Sequence, residues 1–329
     1  MIITRNLRVF FIAFLFSLPV WWGINAFSAE LTDFFFLYEI RTNPEIIAAF
    51  AAQKDLEQQL EKQYPFLKKG VSRPEIKARA ALSTFVNPDG TLRVLYEKEQ
   101  KTPVLIASLT KLMTSLVALK HYAPTQEILI TREILEEQGE AGYLREGEVF
   151  SIKDLLHLTL IESSNDAAAA LLEPLGRAEF VRQMQEQAKT LAMQQSSFVN
   201  PTGLDPARGQ EGNESTVADL TKLAIYLFEQ YPQVFDILSQ EELNLYTREG
   251  KFHHTMRNTN VLVHYSEWPA RILGGKTGST PQAKESLILL LESPDRKGYI
   301  VNVILGSEDR FLEMRQLLRW ILQSYQWSR

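Results

Sequence analysis

The sequence predicts an α+β fold in which an antiparallel sheet carries an inserted helical subdomain. Three observations predict it. Strand-like runs stand at Ala80–Asn87 and Leu92–Glu97, flanking the turn signal Pro88-Asp89-Gly90. A helical stretch then runs from Thr110 to Glu229, and short apolar runs return at Arg271–Lys276, Ser286–Leu291 and Tyr299–Gly306 before a closing helix over Glu308–Gln323. Strands, then helices, then strands segregate the helices from a sheet whose neighbours are hairpin-linked, which is the α+β arrangement and not the alternation of a parallel α/β sheet.

From the N-terminus, Arg5 and Arg8 precede an uncharged run of 19 residues, Val9–Phe27, and no Lys or Arg follows until Arg41. That asymmetry keeps the N-terminus inside, and such a helix covers nearly the ~30 Å of membrane hydrocarbon. The run reads as an uncleaved anchor, with Ala26-Phe27-Ser28 offering a small-x-small site for removal as a signal instead. Either reading places the remainder outside the cytoplasmic membrane. Asn43 as cap and Pro44 at the first helical position begin a charged helix to about Gln63, a stem or a packed helix. Residues 1–35 are thus expected to be a signal or membrane anchor, 36–75 a helical stem and 76–329 the catalytic domain.

Within the helical middle the segments are Thr110–Lys120, Ile152–Glu162 with Ser151 and Asp154 as a capping pair, Asp166–Leu175, Arg177–Leu191 and Val217–Glu229. Chemistry-bearing residues sit at their borders: Ser108-Leu-Thr-Lys111, Ser163-Ser164-Asn165 and, beside a later strand, Lys276-Thr277-Gly278. A serine hydroxyl is a weak nucleophile until a base takes its proton, and no Ser-His-Asp set is evident around the five histidines. With Ser108 opening a helix, Lys111 lies one turn on along the same face, amine beside hydroxyl. The helix N-terminus, partial burial and a second cation at Lys276 all disfavour its ammonium form, and the same N-terminus offers N–H groups to an oxyanion. Ser108 as a plain cap, Ser163–Asn165 as a capping cluster and Gly274–Thr280 as a turn are the bland alternatives, and the G-x-x-x-x-G-K spacing of a phosphate loop is absent.

The ordered trio, one residue altered from S-x-x-K, S-D-N, K-T-G, is accompanied by Ala107–Thr114, the block Glu148–Leu156 leading into Ser163–Ala168, Phe198–Asp205 and Asn258-Thr259-Asn260. From about Ile76 onward the chain resembles the serine-type D-alanyl-D-alanine carboxypeptidases, the low-molecular-mass penicillin-binding proteins. The resemblance implies that Ser108 is the acylated nucleophile, Lys111 its base and Ser163 a proton relay to the leaving group. Asn165 would hold a peptide carbonyl, Lys276 and Thr277 the substrate carboxylate, Gly278 would leave room for the peptide, and the N–H groups of Ser108 and Ser279 would form the oxyanion hole. Two departures stand out: Ser164 occupies a position where the family usually has glycine, and the extra C-terminal β-domain of many members does not follow the closing helix.

The substrate this implies is a peptidoglycan stem peptide that loses its terminal D-Ala through a Ser108 acyl-enzyme, with β-lactams as covalent inhibitors. A D,D-endopeptidase acting on cross-links would use the same residues. A class A β-lactamase would need a glutamate in an E-x-x-L-N loop between the second and third motifs, and Glu241-Glu242-Leu243-Asn244 has the wrong spacing. A non-catalytic wall-binding protein would not need the full catalytic set. Composition agrees without selecting: 45% hydrophobic residues across 329 support a large core, and a net charge of −5 gives no reason to expect nucleic acid. The absence of cysteine removes disulfides, thiol catalysis and Cys-based zinc sites, and His253-His254, His121, His157 and His264 lack ligand spacing, so neither metal nor cofactor is expected.

Overall fold

The computed structural model describes Ala48, residues 52–54, 65–136, 143–264 and 270–327. The run Val9–Phe27 lies outside the described residues, and of the helix expected over Pro44–Gln63 only Ala48 and residues 52–54 are described, all helical. Among the described residues no helix is long and apolar enough to cross a membrane. The chain divides into two units, Met1–Phe66 with Ser328 and Leu67–Trp327 with Arg329; the second carries the site.

In that unit the elements run β1 (Ala80–Val86), β2 (Leu92–Lys98), β3 (Val104–Leu105), a 3₁₀ turn (Ala107–Leu109), α1 (Thr110–His121), β4 (Glu127–Leu129) and β5 (Val149–Ser151). They continue with α2 (Ile152–His157), a π-helical turn (Leu158–Glu162), α3 (Asn165–Ala170), α4 (Arg177–Thr190), β6 (Glu214–Ser215), α5 (Val217–Gln230) and α6 (Gln233–Leu238). The hairpin β7 (Glu242–Tyr246) and β8 (Phe252–Arg257) precedes β9 (Ile272–Thr280), β10 (Lys284–Glu292), β11 (Tyr299–Ser307) and the closing helix α7 (Arg310–Ser324). The main sheet is antiparallel throughout, in the order β9-β10-β11-β1-β2. The chain thus begins the sheet, leaves it to build the helical subdomain, and returns to complete it.

Strand period explains the layers. In β10 the run Leu287-Ile-Leu-Leu-Leu291 looks unpatterned because both faces are buried. Leu287, Leu289 and Leu291 join Phe85, Ile300 and Ile304 against Met314, Leu317, Leu318 and Ile321 of α7. Ile288 and Leu290 face the other way, into a cluster with Val301, Val303, Leu112, Leu116, Leu220 and Leu223. Two packed layers therefore hold the sheet rigid under the site, each fully buried Leu worth about 2–5 kcal/mol on truncation to Ala.

The helix expected over Asp166–Leu175 ends at Ala170, and three further borders that differ from the sequence expectations each fall at a motif. Ser108 does not cap α1: it lies inside the 3₁₀ turn, and Leu109 is the cap residue. The helix expected to run through Glu162 becomes π-helical from Leu158, even though Ser151 and Asp154 form the expected capping box at its start. The strand expected to end at Lys276 continues to Thr280, so the third motif lies within β9; its glycines had masked the strand pattern. The β7–β8 hairpin and α6 were not anticipated.

Candidate active site

The site lies where β9, at the edge of the sheet, meets the 3₁₀ turn and the second-motif turn. Gly278 makes that approach possible: a Cβ there would stand 2.9 Å from the Ile106 carbonyl oxygen and 3.2 Å from the Ser108 nitrogen. Only a hydrogen fits between the strand and the turn. Ala107, directly before Ser108, takes φ +47°, a left-handed conformation that costs a non-glycine residue of order 1–3 kcal/mol. The opposing segment is shaped to it, since a Cβ on Gly203 would fall 1.9 Å from the Ala107 carbonyl oxygen.

Lys111, on the first turn of α1, is fully buried at 0% exposure, and its Nζ reaches Ser108 Oγ at 2.9 Å, Asn165 Oδ1 at 2.7 Å and the Thr202 carbonyl at 2.8 Å. Thr202 is delivered by a turn that Asn200 ties, its Oδ1 accepting from the nitrogens of Thr202 at 3.1 Å and Gly203 at 2.7 Å. Burial pushes the Lys111 amine down to about 7. The second cation was expected to act on Lys111; its effect falls instead on Lys276, whose amine is held well below the usual range by burial, then by Lys111 and Arg310. A neutral Lys111 has two N–H donors, which Asn165 Oδ1 and the Thr202 carbonyl take up, and its lone pair then faces the Ser108 hydroxyl. That is the geometry of a base acting on a serine.

The second motif is formed by an abrupt end to the π-turn. Ser163 takes φ +64°, ψ +29°, and its Oγ accepts from Lys276 Nζ at 2.8 Å. Ser164, where a glycine was the expectation of the resemblance, has φ −56° and ψ +128°, open to any residue, and its Oγ caps α3 by accepting from the Ala167 nitrogen at 3.1 Å. The side chain is therefore accommodated and useful there. Asn165 begins α3 and points its Oδ1 at Lys111.

On β9, Lys276 is 1% exposed, and Thr277 Oγ1 lies 2.6 Å from Thr259 Oγ1, which places the Asn258–Asn260 segment beside the strand. Ser279 follows Gly278 on the same edge strand and is exposed. Six of the eight residues singled out in the sequence, Ser108, Lys111, Ser163, Asn165, Lys276 and Thr277, thus converge through three direct side-chain hydrogen bonds or one intervening residue, and Gly278 and Ser279 continue the wall. Sequence reasoning missed Arg310. From the start of α7 its guanidinium donates to the Gly278 carbonyl at 2.9 Å, while its Nε is buried with no hydrogen-bond partner among the described residues. Glu285 is 3.8 Å away, a loose ion pair. Nothing in local sequence marks it, because its partner strand is 32 residues away. Lys111, Lys276 and Arg310 outnumber the acidic groups in contact with them, an arrangement suited to a carboxylate-bearing substrate. Among the described residues no group of three or more His, Cys, Asp or Glu could hold a metal ion.

The sequence model of peptidase family S11, D-alanyl-D-alanine carboxypeptidase, matches residues 67–309. A D-alanyl-D-alanine endopeptidase of Pseudomonas aeruginosa is 33% identical over 249 residues, 74% of this chain and 77% of that one. The D-alanyl-D-alanine carboxypeptidase DacF of Bacillus subtilis is 28% identical over 274 residues, 79% of this chain and 67% of that one. Penicillin-binding protein D2 of Listeria monocytogenes, solved with bound cefotaxime, superposes with a TM-score of 0.65 at 26% identity, covering 77% of this chain and 100% of that one. With the family match spanning well over half of its length, the chain belongs to the D-alanyl-D-alanine carboxypeptidase family of serine peptidases.

Proposed function

We propose that this peptidase removes the terminal D-Ala from peptidoglycan stem peptides through an acyl-enzyme on Ser108. The observation that carries the assignment is the 2.9 Å contact between Ser108 Oγ and the buried Lys111 amine, with the other two acceptors of that amine fixed by Asn165 and Thr202. Ser108 Oγ attacks the carbonyl carbon of the penultimate D-Ala as its proton passes to Lys111 Nζ. The electron pair of the carbonyl moves onto its oxygen, between the N–H groups of Ser108 and Ser279. Collapse breaks the peptide C–N bond as Ser163 gives its proton to the departing amine and takes up the proton that Lys111 had accepted, which leaves Lys111 a neutral amine again. Water then gives a proton to Lys111 and cleaves the ester, restoring Ser108.

Lys276, Thr277 and Arg310 would receive the terminal carboxylate, Asn165 would hold a peptide carbonyl, and the edge of β9 would pair with the extended peptide. A β-lactam, an acylating agent of the same shape, would remain on Ser108. The relative from Pseudomonas aeruginosa, named an endopeptidase at 33% identity, favours a second reading in which cross-linked dimers are cut by the same residues. Incubating the full chain in detergent with monomeric and cross-linked muropeptides and weighing the products distinguishes them. Loss of one D-Ala from monomers is the expected result; cutting of dimers alone would replace it with the endopeptidase reading, and intact substrates would overturn both.

Residues 76–329 form the catalytic domain in this reading, 36–75 a stem, and Val9–Phe27 an anchor on the outer side of the cytoplasmic membrane. The uncharged run and the Arg5/Arg8 asymmetry support the placement. N-terminal sequencing of the native protein tests it: retention of Met1 or its neighbours is expected, and a mature start near Ala29 would replace the anchor with a cleaved signal.

A further inference from the structure

Immediately behind Ser163, four side chains form an unbroken line that the reaction scheme does not use. Glu162 ends the π-turn, His253 and His254 come from β8, and Glu148 precedes β5. His254 Nε2 lies 3.1 Å from both carboxylate oxygens of Glu162. The two imidazoles meet nitrogen to nitrogen, Nδ1 to Nδ1 at 2.6 Å, and His253 Nε2 lies 3.2 Å from Glu148 Oε1. The line is sheltered: the side chains of His253 and Glu162 are 8% and 12% exposed, and Phe150 packs edge-on against His253.

A carboxylate oxygen accepts, so the His254 Nε2–H donates to Glu162 and the His253 Nε2–H to Glu148, which ties β8 to the π-turn at one end and to the start of β5 at the other. We propose that this Glu162–His254–His253–Glu148 relay is a positioning device for Ser163, which fixes the second-motif turn through the contact of His254 with Glu162. It rests on the assignment of Ser163 to the catalytic site.

The reach is short. Glu162 is covalently next to Ser163, whose left-handed backbone leaves the turn dependent on its flanks, and Ile161 is tied to the same segment by the Thr259 nitrogen at 3.1 Å. Among the described residues, the Tyr143 ring packs beside His254, the Arg145 backbone nitrogen donates to Glu148, and Lys276 Nζ donates to Ser163 on the far side of the turn. The His254–Glu162 contact is what joins β8 to the π-turn, and its loss leaves the residue before Ser163 without that support.

The test is acylation of the full chain in detergent by a fluorescent penicillin. His254→Leu is expected to slow acylation by about 10- to 100-fold with little change in Tm, whereas His254→Gln, which returns an N–H to Glu162, keeps the rate within about threefold of the parent. Equal losses in the two variants, or an unchanged rate in His254→Leu, would overturn the positioning role. Should His254→Leu fail to fold, Glu162→Leu, which removes the acceptor from the same contact, serves in its place, with slower acylation expected and an unchanged rate contradicting the proposal. Loss of all acylation in Ser163→Gly together with normal behaviour of the histidine variants would leave the catalytic reading standing and remove only the relay.

Discussion

At the scale of single residues the decisive balance is between burial and pairing at Lys111. An amine lowered to about 7 is half neutral near neutrality, so acylation should rise about tenfold per pH unit below about 7 and level above it. A rate flat from pH 5 to 8 would mean that another group takes the proton. Lys111→Arg keeps a cation that cannot become a neutral amine, and acylation should fall by about 10²- to 10⁴-fold in a folded protein, read by stopped-flow or gel labelling. Ser108, Lys111, Ser163 and Lys276 were legible in the sequence because each sits in a short motif whose spacing encodes its neighbour. Arg310 and the histidine pair were not. Their contacts join segments 32, 92 and 105 residues apart, and no local pattern records such a meeting.

The elements matter through their ends. The sheet offers its edge strand β9 to the site, and the 3₁₀ turn closes against it across Gly278. Gly278→Ala would press a methyl against the Ile106 carbonyl and the Ser108 nitrogen, so penicillin labelling should fall by at least about tenfold while circular dichroism stays native; full labelling would show that the two segments can part. The capping box of α2 is a stability device remote from the chemistry. Ser151→Ala should cost about 1 kcal/mol in urea unfolding, with acylation unchanged. Helix and strand types were readable from period and caps, as at Ser151 and in the run Leu287–Leu291. The π-turn was not readable, because Leu158–Glu162 keeps helical composition, and its altered winding is set by the turn that must present Ser163. The β7–β8 hairpin also escaped notice, since its Glu, Arg and His residues carry a weak alternation.

For the whole molecule, placing amines in a buried cleft links stability to pH. Lys111 has a folded-state value of about 7 against roughly 10.4 in an unfolded chain, so between those values the unfolded state binds more protons and stability rises with pH. Lys276, shifted in the same direction, adds to the slope. Lys111→Met should flatten the rise in urea stability between about pH 7 and 10, and a slope equal to the parent's would show that Lys111 remains charged in the folded protein. The sheet beneath tolerates this cost because its two faces are both packed, by α7 and by the helical subdomain. The central claim is that Ser108, in the 3₁₀ turn before α1, is acylated with Lys111 as its base. Mass mapping of the full chain after reaction with a penicillin tests it most directly: the account predicts one adduct on the peptide containing Ser108 and none in Ser108→Ala, whereas an adduct on another serine, or full labelling of the variant, would contradict it.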